Sequence, residues 1–292
     1  MKSLRRVLLG KLIAHRPTRA LRMSSEPLNV FGVHMRVPQD SPLFKTGGGE
    51  FVELPLDDVI APFVLTHGHW QMEELDFIAA HQPAGPCVLI DVGANIGLVT
   101  RQLIHRLPNL AAALCFEPHP ANFRWLSRNL AHLPQCHLVQ AAIGVGAAQE
   151  LRFYEEVGNV GNYSLNLDAM RGKQYRTSVV QCVPATESQL LGLLPEALRD
   201  RPLIWKSDTQ GFDESIMTSL PDSFWNRVHA GVIEMWRIER PAFDRGRLAQ
   251  ILGAFAIRRF GAQRDRNVSV EEILEYSTGS DYRQDDLYFA RN

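Results

Sequence analysis

Absences narrow this chain before any motif does. Its 292 residues include only four cysteines, Cys87, Cys115, Cys136 and Cys182, and no two share the C-x-x-C spacing of a zinc or redox site. Each lies in a strand-like apolar run, which reads as buried free thiols in a reducing compartment and points to the cytoplasm. No apolar run approaches the roughly 18 to 20 residues of a membrane-spanning helix. A Gly-X-Y period, a low-complexity tract, an internal repeat and a Pro/Gly/Ser linker are all missing, which excludes fibres, disordered scaffolds and an obvious two-domain split. Charge of one sign is lacking too: 31 basic and 32 acidic side chains leave a net charge of −1. Without a basic field, no nucleic-acid partner is expected.

One local excess hides in that balance. Lys2, Arg5, Arg6, Lys11, Arg16, Arg19 and Arg22 precede the first acid, Glu26, with Leu4, Val7, Leu8, Leu12 and Ile13 at helical spacing between them. Residues 1–22 could form a basic amphipathic helix in weak contact with a membrane surface; a helix packed on the domain, or a frayed extension, is the plainer reading. Met23 is a second candidate start. The segment 1–84 is expected to be an extension and lead-in packed on a core formed by 85–292.

From residue 87 the chain alternates between two periods. A continuous apolar run at 87–92 predicts a strand buried on both faces. Helical spacing follows at 96–107, a strand at 112–116, a helix at 121–133 and a third strand at 137–143. An insertion at about 151–183 carries two strand-like runs around a Gly/Asn loop. Helices at 187–198, 214–220, 247–255 and 270–276 then alternate with strands at 203–206, 231–236, 257–260 and 287–290. This rhythm predicts a parallel α/β sheet with right-handed crossovers.

The most informative stretch is the glycine-rich turn at 91–97, DVGANIG, where the first strand hands over to its helix. In open α/β sheets ligands bind there, beyond the carboxyl ends of the strands. Gly93 and Gly97 allow a sharp turn and close approach, and free helix N–H groups can hold an anion. The dinucleotide pattern G-x-G-x-x-G fails, because Asn95 and Leu98 occupy its second and third glycine positions. Carboxylates are close instead: Asp91 ends the first strand. Glu117 ends the second, where an acid can accept both hydroxyls of a ribose. A cationic sulfonium nucleotide suits such a turn better than NAD.

DVGANIG, then FEPHPANFRWLSRN at 116–129, AAIG at 141–144, NYS at 162–164 and KSDTQGFD at 206–213 together resemble the FkbM family of S-adenosylmethionine-dependent methyltransferases. The similarity runs from about Gly68 to Trp236. It implies a class I methyltransferase fold, an α/β three-layer sandwich on a seven-stranded, mostly parallel sheet with one antiparallel strand. It also implies methyl transfer to a hydroxyl oxygen of a small molecule or glycan. Position by position, Asp91, Gly93, Ala94, Asn95 and Gly97 match the first cofactor motif, and Glu117 the ribose-binding acid, with Pro118 and Asn122 in its signature. Ala142 and Ile143 match the segment flanking the adenine, Asn162 and Ser164 the polar loop, and Lys206, Asp208 and Gly211 the K-x-D-x-x-G motif. Two departures stand out. Asp213 occupies a position where the family more often has Glu, and Gln71 replaces the usual acid after Trp70.

Methyl transfer to a hydroxyl is a displacement that needs positioning and a base. Asp208, at the end of a strand, is the leading candidate. Lys206 lies two residues earlier on the same strand face, and Glu234 faces the same rim; these three form the candidate catalytic set. His67 and His69 lack a carboxylate or cysteine to complete a metal set, so no metal is expected. His119 reads as a helix-start residue. The rival functions are an NAD-linked oxidoreductase and a non-catalytic cofactor-binding protein of the same fold.

Overall fold

A computed structural model describes residues 27–30, 33–36 and 43–45 as backbone, and 51–55, 59–146, 150–157, 159–239, 243–261 and 266–291 more fully. The basic segment 1–22, Met23 and the glycine run 47–49 lie outside the described residues. Four short strands come first: β1 (Pro27–Val30), β2 (Val33–Arg36), β3 (Leu43–Lys45) and β4 (Phe51–Glu53), paired antiparallel in that order. Helices α1 (Ile60–His67) and α2 (Met72–Ala80) follow. Val52, Leu54, Ile60, Val64 and Leu65 form one buried cluster with Ile96 and Leu98, which seats this lead-in against the glycine-rich turn.

The centre is a seven-stranded sheet. Its strands are β5 (Cys87–Val92), β6 (Leu110–Phe116), β7 (Cys136–Val139), β12 (Leu203–Ser207), β13 (Val228–Trp236), β14 (Ile257–Phe260) and β15 (Gln284–Ala290), ordered β14-β15-β13-β12-β5-β6-β7. Only β15 runs antiparallel to its neighbours, as the resemblance implied. Every residue of β5 is buried. Its alternate side chains feed two cores, as the two-residue period of a strand requires. Val88, Ile90 and Val92 pack with Leu190, Trp205, Ile216, Phe224 and Leu252 on one face. Cys87 and Leu89 pack with Leu75, Leu103, Leu126 and Leu130 on the other. Helices α2, α3 (Leu98–Arg106) and α4 (Pro120–Leu130) supply the second face. The first is covered by α5 (Glu187–Gly192), α6 (Asp213–Ser219), α7 (Asp222–Trp225), α8 (Arg245–Gly253) and α9 (Val270–Tyr276).

The predicted third strand divides. Residues 136–139 join the main sheet, whereas β8 (Ala142–Gly144) turns away and pairs parallel with β11 (Tyr175–Pro184). Strand β11 also pairs antiparallel with β9 (Glu150–Glu156), which in turn takes up β10 (Tyr163–Ser164). The insertion is thus a small second sheet attached through β8. The predicted helix at 187–198 stops at Gly192, short of Pro195, and a 3₁₀ turn at Glu196–Leu198 completes the segment. Helix α3 begins at Leu98 rather than 96, because Gly97 is left-handed at φ 84°. No helix among the described residues is long and apolar enough to cross a membrane.

Candidate active site

The carboxyl ends of β5, β6 and β12 meet at one pocket. Its walls include Gly93, Asn95, Phe116, Glu117, Pro118, Ala142, Ile143 and Tyr163, and its far side is Asp208, Thr209 and Gln210. Gly93 has φ 72°, and a Cβ there would overlap the main-chain oxygen of Asp208. The two loops are therefore packed backbone against backbone, a closeness only glycine allows. Gly97 does not line the pocket; a Cβ there would press on Leu126 and Leu130, so its task is helix packing.

Glu117 is held at both oxygens. The Asn95 N–H donates to Oε2 at 2.9 Å and the His119 N–H to Oε1 at 2.8 Å. Burial pushes its carboxyl up to about 8, against the lowering effect of those two N–H groups. Buried polar atoms also wait unpartnered on the wall, Asn95 Oδ1 and Thr209 Oγ1. A polar ligand that donates hydrogen bonds fits this lining.

Several predicted residues serve beneath the pocket rather than in its wall. Asp91 is fully buried, accepts from Thr100 Oγ1 at 2.6 Å and pairs with Lys206 Nζ at 3.2 Å. Lys206 also donates to the Gly93 carbonyl at 2.9 Å, and so fixes the turn from below. Burial would lower its pKa, but the Asp91, Asp208 and Glu74 carboxylates outweigh this and hold it above the ordinary value. Lys206 does not line the pocket. Ser164 is buried and donates to the Gln210 carbonyl at 2.7 Å, which supports the loop. Asp213 accepts from the Ser207 hydroxyl and the Thr209 N–H, so the residue that departs from the family pattern braces the same loop. Lys206→Met is expected to destabilise the protein by about 3 kcal/mol, because Asp91 would be left buried and unpaired. Chemical denaturation checks this, and a wild-type midpoint would contradict it.

A second, open cavity adjoins the first and shares Gly161, Asp208 and Gln210 with it. Gln210 Nε2 donates to Asp208 Oδ1 at 2.6 Å and to Glu234 Oε2 at 2.7 Å, tying the two acids together. Trp236 Nε1 donates to the same Glu234 oxygen. Trp70, Asn162, Asp285 and Asp286 also line this groove. Sequence reading singled out neither Gln210 nor the 285–286 pair. Gln210 stands inside the quoted KSDTQGFD motif at a left-handed φ of 56°, and the two acids head a strand whose position at the rim depends on sheet order.

The histidines fall elsewhere. His67 and His69 pack with Phe63 in a ring cluster and line neither cavity. His119 precedes α4, as expected, and its ring lies 3.4 Å from Glu155. No group able to hold a metal occurs among the described residues.

The buried acids give the fold a definite pH response. Burial raises Glu117 to about 8 and Asp213 and Asp286 to about 7, all above their ordinary values. The folded state then holds protons that the unfolded chain releases, so stability present in acid is lost as pH rises through 7 to 8. The melting temperature of the unliganded protein is expected to fall from about pH 5.5 to about pH 8.5. Calorimetry across that range checks it, and a rising melting temperature would contradict it.

No family model matches the chain, and no curated protein matches it. Solved structures do. The 23S rRNA methyltransferase ErmE aligns at 9% identity and TM-score 0.38, over 77% of this chain and 69% of that one. An rRNA methylase from Streptococcus thermophilus aligns at 8% identity and TM-score 0.36, over 75% of this chain and 95% of that one. TrmK of M. capricolum, solved with S-adenosyl-homocysteine, aligns at 7% identity and TM-score 0.35, over 75% and 67%. The fold itself is read from this chain's own sheet, whose order β14-β15-β13-β12-β5-β6-β7 with only β15 antiparallel is that of a Rossmann-like methyltransferase sandwich. Likeness at this level speaks to fold alone, and chemistry must come from this chain's own residues. The expectation of no nucleic-acid partner is corrected: solved structures described as rRNA methyltransferases are among those that align, and a balanced overall charge does not decide against such a partner.

Proposed function

We propose that the protein transfers the methyl group of S-adenosylmethionine to a hydroxyl oxygen, the activity that the FkbM resemblance implies. The observation that carries this reading is the junction of the two cavities. A pocket with a doubly held carboxyl at Glu117 adjoins, at Asp208 and Gln210, a larger groove.

The residues fit the cofactor. Glu117 would accept from both ribose hydroxyls. Ala142 and Ile143 would flank the adenine, with Pro118 beside them. The turn 93–95, with its close-packed Gly93, would receive the amino-acid end. When bound, the sulfonium would supply an electrophilic methyl carbon, with a neutral thioether as the leaving group that keeps the bonding electron pair. The chain's own part is to place an acceptor hydroxyl in line and take its proton. Asp208 stands at the junction with one oxygen fixed by Gln210, so its carboxylate is oriented to receive that proton as the carbon–oxygen bond forms. Glu234 holds the other end of the Gln210 bridge, and Lys206 fixes the turn from below as a positioning residue.

Thermal shift with S-adenosylmethionine, S-adenosylhomocysteine and NAD tests the reading. Stabilisation by the two sulfur nucleotides is expected. Stabilisation by NAD alone would favour the oxidoreductase and sink it.

A further inference from the structure

The groove beyond Asp208 has a chemistry of its own. Along the antiparallel pair β13/β15, Glu234 stands directly opposite Asp286, a like-charge pairing that costs stability in a sheet. Asp208 joins them in the same cavity, which Asp285 also borders, with Trp70 and Trp236 among its lining residues. The donors at the floor are already spent. Gln210 Nε2 serves both Asp208 and Glu234, and the Trp236 N–H serves Glu234. Lys173 is tied to Glu156 at 3.3 Å. An acceptor atom is left over: Asn162 is only 5% exposed, lines the groove, and its Oδ1 has no partner. A wall of acceptors asks for a ligand rich in donors. Lys173 borders the same groove, and its Nζ already lies 5.5 Å from the centre of the Trp236 ring, so the carboxyls rather than the indole are what a ligand cation would meet.

We infer that the methyl acceptor is a hydroxylated cation, an amine-bearing polyol whose ammonium is held between the facing carboxyls of Asp286 and Glu234 while its hydroxyl faces Asp208. The inference rests on the methyl-transfer reading and names the substrate class of that site. Electrostatics agrees with it: burial, then Asp208 and Asp286, push Glu234 well above the ordinary carboxyl range, and burial with Asp208 and Asp285 raises Asp286 to about 7. An ammonium between them would let both ionise, which compensates for the cross-strand repulsion. The proton accounting is unchanged: the ammonium keeps its proton, and only the hydroxyl loses one, to Asp208.

The test uses the full chain loaded with S-adenosylhomocysteine and two probes that share one hydroxyl framework, a chitosan tetrasaccharide and its fully N-acetylated counterpart. A short RNA oligonucleotide serves as the third arm. Titration is expected to show the amine form binding at least about tenfold tighter than the acetylated form, a difference of about 1.4 kcal/mol. Asp286→Asn should cut that preference to threefold or less (about 0.6 kcal/mol by the same relation), and Asp286→Glu should restore most of it. Removing one of two facing carboxyls relieves repulsion, and the melting temperature of Asp286→Asn verifies that it folds. Equal binding of the two sugars, or preferential binding of the RNA, would overturn the inference. If the sulfur nucleotides bind and the amine preference is absent, only this inference falls; if they do not bind, the methyl-transfer reading beneath it falls.

Discussion

Asp208→Asn is expected to lower methyl transfer by about 10²- to 10⁴-fold, the range typical for loss of a positioned base. The asparagine keeps an oxygen that can accept from Gln210, so the bridge to Glu234 survives while the proton acceptor is lost. The effect should therefore fall on kcat, with S-adenosylmethionine affinity within about threefold of wild type. Label transferred from tritiated S-adenosylmethionine into a metabolite extract, together with a binding titration on the same variant, separates the two quantities. Undiminished transfer would show that Asp208 only orients, and would return Glu234 as the candidate base. Binding that survives without transfer in the wild type itself would favour the non-catalytic alternative.

Glu117→Ala should have the largest effect on binding, a loss of S-adenosylmethionine affinity on the order of 100-fold, or about 2.7 kcal/mol. Two charge-assisted hydrogen bonds to the ribose would disappear. In addition, the N–H groups of Asn95 and His119, which now donate to this carboxyl, would lose their acceptor, and the turn would loosen. Affinity also depends on the charge of Glu117. Because burial raises the carboxyl to about 8, the empty pocket holds a proton near neutrality, and an ionised Glu117 is the better acceptor. Binding should then release a proton and tighten as pH rises from about 6 to about 8. Calorimetry in two buffers of different ionisation enthalpy reads that proton directly. Affinity within about threefold of wild type in Glu117→Ala would remove the ribose-holding role.

How much of this was legible in the residues follows from burial. Strand β5 announced itself because both faces are covered, leaving an unbroken apolar run, and DVGANIG and KSDTQGFD named the loops that meet at Gly93 and Asp208. Roles within the motifs were less legible. Asp91, Lys206 and Ser164 sit in the right motifs but face inward, where they hold Thr100, the Gly93 carbonyl and the Gln210 carbonyl. A motif fixes a position along the chain and leaves the direction of the side chain to packing. The groove was harder still. Asp286 reaches the site only because β15 inserts antiparallel beside β13, a consequence of sheet order that no local pattern encodes. Helix α1 was missed outright. It is short, and Pro62 in its first turn reads as a breaker, although proline costs little where N–H groups have no helical partner.

The most direct test of the account is a structure of the protein crystallised with S-adenosylhomocysteine. It should show the ribose hydroxyls on Glu117, the adenine against Ala142 and Ile143, and the sulfur facing Asp208 and Gln210 at the mouth of the acidic groove. Ligand bound elsewhere, or a ribose that leaves Glu117 untouched, would contradict it.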